Sequence, residues 1–138
     1  MTDQQVIPYL TYQDAAAASE WLAKAFGFEE VNRVAMPDGK VGHLEMRTAG
    51  GGRIMMAEAT PDYHGPRRHA EECEAARRWL SVPYVIDGVL VHVDDVDAHY
   101  RRARDAGARI LSEPETSGDG KVYRVEDIEG HRWLFTQA

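Results

Sequence analysis

The side chains of this chain that could do acid–base or metal chemistry are few. His92 lies near the end of the apolar run GVLVHV (88–93). An imidazole there could serve as a general base, because its ordinary pKa is close to neutrality, or it could hydrogen-bond a ligand. The simpler account is a strand histidine satisfied by a backbone group. Glu58, in RIMMAEA (53–59), could attract a cationic group or ligate a metal, and equally well sit solvated at a strand end. His43 and Glu45 alternate in VGHLEMR and so share one strand face, but the pattern leaves open which one. His69 and Cys73 are spaced i, i+4, and two ligands without a second pair fall short of a zinc site. A nucleophilic Cys73 would need a base or a helix N-terminus to lower its pKa. Its neighbours Glu72 and Glu74 act the other way, so it reads as a packing residue.

Among the aromatic residues, Trp79 is the one placed to meet a ligand or a second subunit. Trp21 falls on an apolar helix stripe, and Trp133 alternates with Leu134, so both read as packing residues. The basic run HYRRARDAG (99–107) reads as a solvated helix face, and His131 as a turn residue beside Gly130.

The elements that must position these groups form a repeat. VIPYLTY (6–12) reads as a strand, Asp14 as an N-cap, and Ala18, Trp21, Leu22, Ala25 and Phe26 as the stripe of an amphipathic helix closed by Gly27. Three strands follow in EEVNRVAM, VGHLEMRT and RIMMAEA, separated by the turns PDGK and AGGG. The second half repeats this order: GVLVHV, Asp95 as a cap, a helix to Gly107, then ARILSE, KVYRVED and RWLFTQ. Asp14 and Asp95 are 81 residues apart, as are the two DGKV turns at 38–41 and 119–122, while the last strands, at Arg53 and Arg132, are 79 apart. The chain is thus read as α+β, two tandem βαβββ modules in one domain (1–138), with module one at about 5–59 and module two at about 88–138. Between them, 60–87 holds a loop and a helix from His69 to Leu80 with Glu74 and Arg78 at i, i+4.

At 138 residues, 43% hydrophobic and 28% charged, the chain has the size and composition of one globular domain. A formal net charge of −7 argues against a nucleic-acid partner. No apolar run has the length of a membrane helix, and a single cysteine excludes an internal disulfide. The start MTDQQVIPYL shows no signal-peptide pattern, so the expectation is a cytoplasmic protein with no membrane partner.

The paired modules, with DAAAASEWLAKAFGFEEV, GVLVHVDDVDAHYRRARDAGARIL and VEDIEGHRWLFTQ, resemble the vicinal oxygen chelate superfamily, the group of glyoxalases, bleomycin-resistance proteins and extradiol dioxygenases, and especially its glyoxalase/bleomycin-resistance-like branch. The resemblance implies a curved mixed sheet around a cleft, and a homodimer. In metal-using members four His, Gln or Glu ligands come from the first and last strands of the modules. Here those slots fall at Ile7 (or Pro8), Met56, Gly88 (or Val89) and Leu134, none of which suits a divalent metal. Strand parity then extends the cleft face from Ile7 to Tyr9 and Thr11, from Met56 to Glu58, from Gly88 to Leu90 and His92, and from Leu134 to Arg132 and Thr136. The expected ligand-binding set is Tyr9, Thr11, Met56, Glu58, Trp79, Leu90, His92, Arg132 and Leu134: an apolar base ringed by polar groups. The resemblance with its slots vacated implies a binding protein without metal or other cofactor, holding an amphipathic or cationic drug-like molecule. The alternatives are a lyase-, isomerase- or dioxygenase-type enzyme using His92 or Glu58, with or without a metal, and an interaction role for 60–87.

Overall fold

The structure, a computed structural model, describes residues 4–118 and 120–138. The chain divides between Tyr63 and His64 into two units. The first holds β1 (Tyr9–Tyr12), α1 (Ala15–Phe26), β2 (Glu29–Ala35), β3 (Val41–Arg47) and β4 (Arg53–Glu58). Its sheet has the order β1-β4-β3-β2, with β1 parallel to β4 and the other pairs antiparallel. The second holds α2 (Pro66–Glu72), α3 (Glu74–Leu80), β5 (Gly88–His92), α4 (Val96–Asp105), β6 (Arg109–Ser117), β7 (Gly120–Glu126) and β8 (Arg132–Gln137). Its sheet runs β5-β8-β7-β6 with the same mixture of directions. Among the described residues there are thus four helices and two four-stranded mixed sheets, each sheet built by one βαβββ module.

The helices begin and end where their capping chemistry requires. Asp14 accepts from Ala17 N at 2.9 Å and Asp95 from Ala98 N at 3.0 Å, each filling an orphan donor of a first turn. Gly27 closes α1 at φ 77°, a conformation open to glycine at little cost, and its N–H reaches back to Ala23 O and Leu22 O. The stripe of α1 then buries Ala18, Leu22, Ala25 and Phe26, and the first sheet buries Tyr12, Leu44, Met46, Ile54 and Met56. In the second unit Val96 and Ala103 of α4 are buried, with Val91, Tyr123, Val125, Trp133 and Phe135 buried on the sheet. The rings of Tyr123 and Phe135 stack at 5.5 Å, and those of Trp133 and Phe135 at 6.3 Å. Asp127 is fully buried, yet its carboxylate is satisfied. It accepts from Glu129 N and His131 N at 3.0 Å and from Trp133 Nε1 at 3.1 Å, which ties the EGHRW turn to the core.

Two expectations change. The helix expected over 69–80 is two helices, because Cys73 is extended (φ −135°, ψ 115°). The carbonyls of Ala70 and Glu71 at the end of α2 are taken by the Arg77 guanidinium, at 3.2 and 3.3 Å, which offsets the helical bonds lost at the break. Cys73 is therefore not in mid-helix, and it does not share a helix face with His69. Both short helices lie between the two modules in sequence and fall within the second unit. Finally, the two DGKV turns differ: Gly39 has φ 87° within its turn, whereas Gly120 of the second copy already opens β7, and Gly118, just before that copy, has φ 61°. Asp119 of that turn lies outside the described residues.

Candidate functional site

Each sheet has one face under its helix and one open face. In the first unit Tyr9 pairs with Met55, and Met55 with Glu45. These residues, with Thr11, His43, Arg53 and Ala57, alternate with the buried set and line the open face. Tyr9 is 58% exposed, and its hydroxyl lies 3.5 Å from His43 Nδ1. The Arg53 guanidinium grips Glu45 through two nitrogens, at 3.0 and 3.2 Å. Its hydrogen bond holds the Glu45 carboxyl below the usual carboxylate range. The face of His43 and Glu45, undecided in the sequence, is therefore the open one.

Met56 and Glu58 are corrected. Both lie on the helix side: Met56 is fully buried, and Glu58 Oε1 accepts from Ala15 N at 3.1 Å, holding the first turn of α1. The cause is a slip of one residue. The first strands of the modules are offset by 81 residues but the last strands by 79. The counterpart of Leu134 is therefore Met55, and a one-residue shift moves a strand's side chains to the other face.

In the second unit Gly88, Leu90 and His92 pair with Arg132, Leu134 and Thr136 on the open face, and Arg124 and Val122 continue the rows on β7. Leu90 is 55% exposed and His92 is also exposed. Arg132 is a further correction. It is 4% exposed, and its guanidinium donates to Leu80 O, Val82 O and Val85 O and, at 3.1 Å, to Glu126 Oε2. Its Nε is buried without a partner. A side chain so spent fastens the loop after α3 to the sheet and has no donor exposed for a ligand. That loop also holds Ile86 at φ 63°, a strained angle for a β-branched residue. Trp79 stands on α3, 45% exposed, edge-on to the His69 ring at 6.0 Å.

The metal implied by the resemblance does not fit these residues. The third slot is Gly88, which has no side chain to ligate a metal, and a Cβ built there would lie 3.0 Å from Leu134 Cδ1, so a larger residue would need that leucine to give way. Corrected to Met55, the second slot still carries a thioether, and the first and fourth remain Ile7 and Leu134. Among the described residues no three His, Cys, Asp or Glu side chains converge on a common point.

With the modules and their open faces in place, comparison with known proteins defines the class. The family description Glyoxalase/Bleomycin resistance protein/Dioxygenase superfamily matches residues 5–135. An uncharacterized protein of Mycobacterium bovis is 33% identical over 135 residues, 94% of this chain and 80% of its own. An uncharacterized Mycobacterium tuberculosis protein is likewise 33% identical, with 94% and 72% covered. Among solved structures, TioX from Micromonospora sp. ML1 superposes with a TM-score of 0.69 at 29% identity, covering 98% of this chain and 96% of its own. TnmS3, an antibiotic binding protein from Streptomyces sp. CB03234, superposes with a TM-score of 0.68 at 18% identity, covering 99% and 98%. The chain belongs to the glyoxalase/bleomycin resistance protein/dioxygenase superfamily. Among the described residues no helix is long and apolar enough to cross a membrane.

Proposed function

We propose that this protein binds a small organic molecule without a metal, and that it does so as a homodimer. The ligand is an amphipathic or cationic drug-like compound held against the open sheet faces, and no bond in it is broken. One observation carries the reading: the positions that would hold a metal are Ile7, Met55, Gly88 and Leu134, so the chemistry left on these faces is apolar contact bordered by a few polar groups. On the first sheet Tyr9 offers exposed surface with His43 and Glu45 on the same face, and on the second sheet Leu90 does so with His92 on the same strand. The similarity to TnmS3, an antibiotic binding protein, supports the same class of ligand. The enzyme alternative loses Glu58, whose carboxylate serves α1. Metal analysis of the purified protein, followed by thermal-shift titration with bleomycin, tests the reading. Substoichiometric metal and a dose-dependent rise in Tm, reduced in Leu90→Glu, are expected. Stoichiometric transition metal would overturn it.

A further inference from the structure

A recess of about 260 Å³ opens at one end of the second unit's open face, between α2, α3 and the end of the sheet where β6 meets β7. Its chemistry differs from that of the rest of the face. Arg67, Arg77 and Arg109 line it together with Glu71 and Glu126. Glu126 is 4% exposed and already bound to Arg132 at 3.1 Å. Arg67 NH2 and Arg109 NH1 also approach its Oε1, each at 3.7 Å, beyond hydrogen-bond distance. Three guanidiniums thus line the recess with two carboxylates, and one of those carboxylates, Glu126, is already paired with Arg132 behind it, which leaves a positive excess in a chain whose net charge is −7. Arg67 is oriented by bonds to Ile128 O and Asp127 O at 2.8 and 3.0 Å, and Arg77 by the α2 carbonyls. Arg109, at the sheet edge, is 62% exposed and supplies charge from the rim. The approach of α2 is made possible by Gly130, at φ 91°, where a Cβ would lie 2.7 Å from Arg67 N.

We propose that this recess is a binding site for a small organic carboxylate. Guanidiniums with donors to spare are suited to carboxylate oxygens, and Leu80, Ala70 and Pro66 give the organic body an apolar wall. The volume lies just below the roughly 300 Å³ at which drug-sized sites begin, so the ligand is small. This site lies at one end of the second sheet's open face, where Glu126 continues the row of Val122 and Arg124, and it takes a ligand of opposite charge to the one proposed for the rest of that face.

Benzoate is the probe, and benzamide is its uncharged counterpart of the same shape. NMR of the arginine Nε–H groups is recorded on the intact chain during each titration. Benzoate should shift the Arg67 and Arg109 signals saturably, with a dissociation constant on the order of millimolar, and benzamide should not. Arg109→Gln, an exposed change that leaves the core intact, should weaken benzoate roughly fivefold or more. Glu71→Gln, which removes a repelling carboxylate, should strengthen it. Equal responses to benzoate and benzamide, affinity unchanged in Arg109→Gln, or no saturable shift would each overturn the proposal.

Discussion

Tyr123 shows what a single buried phenol does to the behaviour of the whole chain. Its side chain is fully buried, its hydroxyl meets His99 Nδ1 at 2.6 Å, and Tyr100 packs edge-on against its ring at 5.5 Å. Burial pushes its pKa up, because the phenolate would lose its hydration. The folded chain therefore holds this proton at a pH where the unfolded chain releases it. The resulting stability is fully present below the unfolded value near 10 and is lost as pH rises, by about 1.4 kcal/mol per pH unit. Tyr123→Phe should cost roughly 0.5–1.5 kcal/mol near neutrality through the lost hydrogen bond. It should also abolish this part of the alkaline loss, so urea unfolding at pH 8 and pH 11 should bring variant and wild type closer together. A gap that stays constant would refute the assignment. Little of this was legible in the sequence. His99 and Tyr100 sit in a run whose arginines are exposed, and only the packing shows the two rings turned inward while the charges stay out. Met56 was misplaced for a different reason: the 79-residue spacing of the last strands, already present in the sequence, points to Met55. Arg132 could not be read at all, because its carbonyl partners lie about fifty residues away in the chain.

At the level of elements the duplication extends to how the helices are held. In each module the aspartate cap is joined by a side chain from the end of the last strand: Glu58 accepts from Ala15 N, and Gln137 Oε1 accepts from Val96 N. Ala15 and Val96 are 81 residues apart and Glu58 and Gln137 are 79 apart, the spacings of their respective elements. A carboxylate and an amide oxygen thus do the same work, and the task needs an acceptor and no charge. Glu58→Ala should cost about 1 kcal/mol in urea unfolding, while Glu58→Gln should stay within about 0.5 kcal/mol of wild type. Glu58→Gln as damaging as Glu58→Ala would mean that the charge itself matters, and the structural role would fail. The strand–helix order and both aspartate caps were legible because each rests on local spacing. The break at Cys73 was not, since no Gly or Pro marks it and the compensating bonds come from Arg77 on the next helix.

For the whole molecule, the 81-residue spacing was enough to reveal two modules, but not that α2 and α3 join the second. That follows from bonds far apart in sequence, such as Arg67 to Asp127 and Ile128. The outer strands of the two sheets also differ, and this bears on the proposed dimer. β6 is protected as an edge: Glu113 and Glu115 flank Pro114, which has no N–H to offer, and the register with β7 is irregular there. β2 is exposed along its whole length and carries no proline, although its register with β3 is also irregular at two points. Two of its charges are used internally, Glu30 binding Arg33 at 2.8 Å and Ser19 Oγ at 2.7 Å. Val31, Val34 and the following Met36 are left 36%, 49% and 48% exposed. An edge strand without proline that carries exposed apolar side chains is where a second copy of the chain would pair. Sedimentation velocity at micromolar concentration should show a dimer for wild type and a monomer for the Val31→Lys, Val34→Lys double variant. Because both positions are exposed, the variant should keep the wild-type Tm of its monomer. A monomeric wild type, or a double variant that still dimerises, would remove β2 as the interface.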